Sequence, residues 1–171
     1  KAGFTLIELL IVITIIATLA GLSFAAFAAV QAAAKKTQAT AMISGIQNAI
    51  ANYNNEYGKL PVPNGGRSAR ESPIALDGTL LAILMGSDAG QKFNPRKIQF
   101  LEPKEAKDGF NGVVMAGETP RVLTDPWGNP YMTLMDANYD GKVRNPDTAS
   151  ESQSQFVNQD AIVWSSGPDG D

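Results

Sequence analysis

The apolar residues of this chain are crowded at one end. Between residues 9 and 30 no residue is charged, and Leu, Ile, Val, Phe and Ala dominate. About 20 apolar residues in a helix cross the hydrocarbon core of a bilayer, so residues 4–30 are expected to form a transmembrane or filament-core helix. Extending the segment back to Phe4 brings in one charge, Glu8. A bare carboxylate there costs about 2.5–3.5 kcal/mol, so Glu8 needs a partner that offsets the cost. Small residues such as Ala17, Ala20, Gly21 and Ala25 either let helices approach closely or simply favour helix.

The helical period continues over residues 31–57 but becomes one-sided. Met42, Ile43, Ile46, Ile50, Tyr53 and Tyr57 recur at spacings of three and four, one stripe of an amphipathic helix. Gly58 and Pro61 supply the stop. Beyond this point the pattern breaks into short pieces. Residues 61–73 read as a polar loop, and Asp77 is placed to cap a short helix presenting Leu80, Leu81, Ile83 and Leu84. Asn94-Pro95 is a turn. Residues 98–101, 113–116, 121–123, 131–135 and 161–165 are strand-length apolar runs bounded by turn residues. Asp125-Pro126-Trp127-Gly128-Asn129-Pro130-Tyr131 is a dense turn cluster between two of them. The expected architecture is α+β. A long N-terminal helix, hydrophobic in its first half, packs its second half on a small antiparallel sheet within residues 58–171. Trp127 and Trp164 are expected to pack in that core.

Charge and composition narrow the chemistry. The formal net charge is −3, which offers no basic excess for a nucleic acid. With no Cys there is no disulfide and no thiolate metal site. With no His the commonest general base, the commonest zinc ligand and every Ser-His arrangement are absent. Lys1 ahead of the apolar segment favours a cytoplasmic N-terminus, and Lys35 and Lys36 beyond it partly oppose that.

Lys1-Ala2-Gly3-Phe4-Thr5-Leu6-Ile7-Glu8-Leu9 resembles the type III signal of type IV prepilins and pseudopilins. The resemblance implies that residues 1–3 end a leader, that a prepilin peptidase cuts after Gly3, and that the new N-terminus, Phe4, is methylated. It also implies that Glu8 pairs with the α-amine of a neighbouring subunit's Phe4. Such a pair in a low-dielectric core recovers part of the desolvation cost of both ions, and it fixes axial register. Relatives often carry a Pro near the position of Ala25; here none precedes Pro61. Asp125–Tyr131, together with Ser166-Gly167-Pro168-Asp169-Gly170, is similar to the major (G-type) pseudopilin of type II secretion systems. Relatives often continue beyond the position of Asp171. That resemblance implies a self-assembling filament subunit, held in the bacterial inner membrane by one span with its C-terminal domain in the periplasm. Its partners would be copies of itself, minor pseudopilins, an inner-membrane assembly platform and membrane lipid. A calcium requirement is implied as well.

A calcium loop is also legible from spacing alone. Asp136, Asn138 and Asp140 stand at positions 1, 3 and 5 of a D-x-N-x-D-G pattern. Gly141 makes the turn, Lys142 offers its carbonyl, and Asp147 closes the cage at position 12. Asp169 and Asp171 would hold a second ion or add to the first. A plain Asp/Asn/Gly turn without metal fits the same residues.

Three function classes remain. The first is a filament subunit, of a type II secretion pseudopilus or of a type IV pilus. The second is a secreted calcium-binding or adhesive module, with Ala26-Phe27-Ala28 as the cleavage pattern of a removable signal peptide. The third is an anchored hydrolase using Glu102 and Asp108, where exposed carboxylates more often form a solvated face. The structural reading, not an enzyme, is the expectation.

Overall fold

The computed structural model describes residues 3–62, 72–88, 92–146 and 154–170; the side chains of 22–26 also lie outside the description. Lys1, Asp147, Asp171 and most of the loop expected at 61–73 are therefore not placed. The fold is α+β, with a long N-terminal helix and small antiparallel sheets. The chain divides into two units, residues 1–37 and 38–171.

Helix α1 spans Leu6–Tyr57, 52 residues, about 80 Å at 1.5 Å per residue. In the first unit its large apolar side chains, from Leu6 to Val30, are exposed wherever they are described. Its threonines turn their hydroxyls inward. Thr14 Oγ1 donates to the Leu10 carbonyl at 2.8 Å, and Thr18 Oγ1 donates to those of Thr14 and Ile15. This back-bonding satisfies the hydroxyls within their own helix. Among the described residues, however, no helix is long and apolar enough to cross a membrane.

In the second unit α1 supplies the core. Ala39, Ile46, Ala49, Ile50 and Tyr53 are buried, with Met42, Ile43 and Tyr57 packed at their margin. That is the stripe expected from the periodicity. The helix stops at Gly58, whose φ of 63° is cheap only without a Cβ; its N–H bonds the Asn54 carbonyl at 2.8 Å. Opposite lies the short helix α2 (Gly78–Met85), with Leu80, Leu81, Ile83 and Leu84 fully buried. Asp77 does occupy its N-cap position, but the side chain makes no capping bond.

Among the described residues the β structure divides into three small antiparallel sheets rather than the single one expected. Strands β1 (Ile74–Ala75), β4 (Met132–Met135) and β7 (Ala161–Trp164) form one, in the order β1-β4-β7. Strands β2 (Gly112–Ala116) and β3 (Thr119–Thr124) form a hairpin with a register shift between Val114 and Met115. Strands β5 (Val143–Arg144) and β6 (Phe156–Val157) form the third. The two-residue strands were invisible to a pattern of period two. Residues 98–101 are not a strand. The N–H groups of Phe100 and Leu101 both reach the Leu84 carbonyl, at 2.9 and 3.0 Å, so the segment satisfies the end of α2 instead of a neighbouring strand.

A polar knot fixes this core. Asn94 is fully buried. Its Nδ2 donates to the Ile83 and Ile98 carbonyls, while its Oδ1 accepts from the Ile98 N–H and the Tyr57 hydroxyl. All four bonding positions of the carboxamide are used. Tyr53 stacks beside it, 4.8 Å from the Tyr57 ring centroid and 5.4 Å from that of Phe100, and donates to the Phe93 carbonyl at 2.7 Å. Asn94→Ala strands several buried groups at once, so a loss of about 3 kcal/mol or more is expected in urea unfolding of the full chain in detergent.

Burial pushes the Tyr53 and Tyr131 phenols up to about 12. Folded values above the unfolded one mean that this stability is whole below about pH 10 and is lost as pH rises toward 12. Tyr131 is fully buried, and its hydroxyl has no hydrogen-bond partner among the described residues. Tyr131→Phe is therefore expected to be neutral or slightly stabilising at pH 7 and to flatten the alkaline loss. Tyr53→Phe, which breaks a bond, should cost about 1 kcal/mol. Thermal melts between pH 7 and 11.5 distinguish the two.

Candidate functional site

Three groups of residues carry the sequence-level chemistry, and the structure treats them differently. At the helix start, Gly3, Phe4, Thr5 and Glu8 are all exposed. Thr5 stands one residue ahead of α1 and exchanges hydrogen bonds with Glu8. The Thr5 N–H and hydroxyl donate to Glu8 Oε2 at 2.8 and 2.7 Å, and the Glu8 N–H donates to Thr5 Oγ1 at 3.3 Å. This is a capping box, in which two orphan amides of the first turn are satisfied reciprocally. The T-x-x-E spacing was readable in the sequence, yet Glu8 was interpreted there only through an external partner. Its carboxylate has a partner inside its own chain. Gly3 shows the opposite. A Cβ built on it meets nothing within 4 Å, and its φ is not in the left-handed region. Nothing in the described structure requires glycine at this position.

The second group is the Asp loop. Asp136 is buried, whereas Asn138, Asp140 and Lys142 are exposed. The three oxygen-bearing side chains converge through the loop backbone. Asp136 Oδ1 accepts the Asp140 N–H at 3.2 Å, and its Oδ2 accepts the Gly141 N–H at 2.7 Å. Asn138 Oδ1 accepts the Asp140 N–H at 2.9 Å, and Asp140 Oδ1 accepts the Lys142 N–H at 3.0 Å. Gly141 has φ 79°, the reversal that a side chain resists. Hard oxygen donors of this kind suit calcium. A carboxylate offers about four acceptor sites, so these amide bonds leave capacity on Asp136 and Asp140. The expected closing ligand, Asp147, lies outside the described residues. Among those residues no group of three or more acidic side chains is gathered to hold a metal. Asp169 is exposed, and Asp171 lies outside the description. The structure thus brings Asp136, Asn138 and Asp140 together.

The third group is the turn at 125–131. Asp125 is fully buried. Its Oδ1 accepts the Trp127 and Asn129 N–H groups at 2.8 and 2.9 Å, and its Oδ2 accepts the Ser165 hydroxyl at 2.6 Å. Trp127 and Trp164 are half-buried rather than core residues. Sequence reasoning gave this cluster to turn chemistry and missed the buried carboxylate, because nothing local marks which Asp of a turn points inward. Glu102 and Asp108, the carboxylates of the hydrolase alternative, are both exposed.

Comparison with known proteins adds one finding. Residues 1–24 match the family model described as the prokaryotic N-terminal methylation motif. No curated protein and no solved structure matches the chain.

Asp136 holds its loop through two amide bonds. Asp136→Ala is expected to cost about 2 kcal/mol or more with a chelator present, measured by urea unfolding in detergent.

Proposed function

We propose that this chain, whose N-terminal motif supports a type IV pilin-like protein, is the major structural subunit of a type II secretion pseudopilus. The motif supports a pilus or pseudopilus subunit and the prepilin-type cleavage and methylation that go with it. The narrower reading rests on the resemblance of Asp125–Tyr131 and Ser166–Gly170 to the G-type pseudopilin. In it the chain is no enzyme. It waits in the bacterial inner membrane as a single-pass protein with its C-terminal domain in the periplasm. A prepilin peptidase processes it, and the assembly platform and minor pseudopilins add it to a filament of identical copies. Growth of that filament drives folded proteins outward.

The observation that carries the reading is the exposed apolar start of α1, headed by the methylation motif. Side chains such as Leu6, Ile7, Leu9 and Ile16 are more than half exposed, a state that water opposes at roughly 25 cal/mol per Å². Lipid or other copies of the same helix relieve it. Gly3 fits the same account, since a glycine with no local structural reason is explained by a peptidase that reads it. The bonds from Thr5 use Glu8 Oε2. In this reading Oε1 meets the neighbour's Phe4 amine, and the carboxylate keeps a partner before and after assembly.

Calcium belongs to the proposal too. Asp136, Asn138, Asp140, the Lys142 carbonyl and Asp147 would hold it, with Asp169 and Asp171 as further ligands. Its chemistry there is neutralisation of the clustered carboxylates and cross-linking of the loop.

Intact mass and the N-terminal peptide of protein from its native membrane test the processing. An N-methylated Phe4 is expected; a mature start near Ala29 would mean a discarded signal peptide and would sink the filament reading. Glu8→Ala is expected to abolish filaments seen by electron microscopy, and normal assembly would remove Glu8 from the mechanism. Calcium at millimolar concentration should raise Tm relative to chelator, and Asp140→Ala should erase the difference. A surface pilus shares the motif, and localisation of the filaments, periplasmic or extracellular, separates it from the pseudopilus.

A further inference from the structure

The β4–β7 ladder ends abruptly, and side chains continue it. Met132 pairs with Trp164 at its last rung. Pro130 has no N–H to offer beyond that, and Pro168 has none on the other side. From this point two side chains of the turn cross to the C-terminal segment. Asp125 Oδ2 accepts the Ser165 hydroxyl at 2.6 Å, and Asn129 Nδ2 donates to the Gly167 carbonyl at 2.7 Å. Ser165 Oγ in turn accepts the Gly167 N–H at 3.1 Å.

The anchor end is rigid. Besides its two amide bonds through Oδ1, Asp125 accepts the Asn111 N–H on its carbonyl at 2.8 Å, and its own N–H reaches the Asn129 carbonyl at 2.8 Å. A fully buried carboxylate with three donors fixed in place is costly to leave short of a partner. That cost makes Ser165 a demanded partner and not an optional surface contact.

We propose that Asp125 and Asn129 form a clamp that orders residues 165–170. The clamp gives the 125–131 turn a specific role. It extends the sheet in side chains where prolines stop the backbone ladder, and it joins two stretches 38 to 40 residues apart. The exposed Asp169 is thereby presented on a preformed segment. Asp125 and Asn129 act on it as positioning residues. The inference rests on these contacts and stands whether or not the chain builds a pseudopilus.

Amide exchange of the full chain in detergent, read on a C-terminal peptide covering 165–170 and on peptides from α2, tests it. Asp125→Asn keeps the Oδ1 acceptor that holds the Trp127 and Asn129 amides but replaces the oxygen facing Ser165. It is expected to speed exchange of 165–170 about tenfold, the equivalent of one hydrogen bond, with α2 unchanged. Ser165→Ala and Asn129→Ala should act in the same direction, and Ser165→Thr should restore protection. The clamp is refuted if Asp125→Asn and Ser165→Ala leave 165–170 as protected as before, or if exchange rises equally in α2.

Discussion

Helix α1 serves two surroundings along one backbone. Residues 38–57 turn a stripe of Ile, Ala and Tyr into the core, while the described apolar side chains from Leu6 to Val30 have no cover. A helix satisfies its own amides wherever it runs, so the same backbone is admissible in water, in lipid or among other helices. Only the side chains decide where each part is stable. The uncovered part sets the functional question, and the covered part shares one core with Leu80, Leu81, Ile83 and Leu84 of α2 and with Val113, Leu123, Met135 and Val163 of the strands.

Polar groups satisfied within the chain are the second theme, and each has its own device. Thr5 and Glu8 satisfy each other across the first turn. Thr14 and Thr18 fold back onto their helix. Asn94 spends its whole carboxamide tying α1, α2 and the segment at Ile98 together. Asp125 spends its carboxylate on two amides and a serine. The Tyr131 hydroxyl and Asp88 Oδ1 are exceptions, buried atoms that find no partner among the described residues. Satisfied polar groups specify one arrangement because every alternative leaves one of them bare.

The Asp loop and the 125–131 turn differ in how far their geometry accounts for their residues. In the loop, Asp136 is explained by the backbone it holds, while the exposed oxygens of Asn138 and Asp140 remain available to a cation. In the turn, every polar atom of Asp125 is used within the protein. The first is where the proposed calcium would bind, and the second is a joint within the fold.

Periodicity alone determined α1, its buried stripe and its stop at Gly58, because a 3.6-residue repeat and a positive-φ glycine are local properties. It determined α2 and the longer strands for the same reason. The methylation motif was legible as a linear signal read by another protein, and its reading needs no fold. Tertiary structure decided the rest. The two-residue strands exist only because partners lie beside them, and residues 98–101 bond to α2 instead of to a strand because α2 ends there. Asn94 and Asp125 look like ordinary turn residues in sequence. Their burial depends on what the chain brings to them from far away, Tyr57 to the one and Ser165 to the other, and no local pattern encodes a contact across 37 to 40 residues.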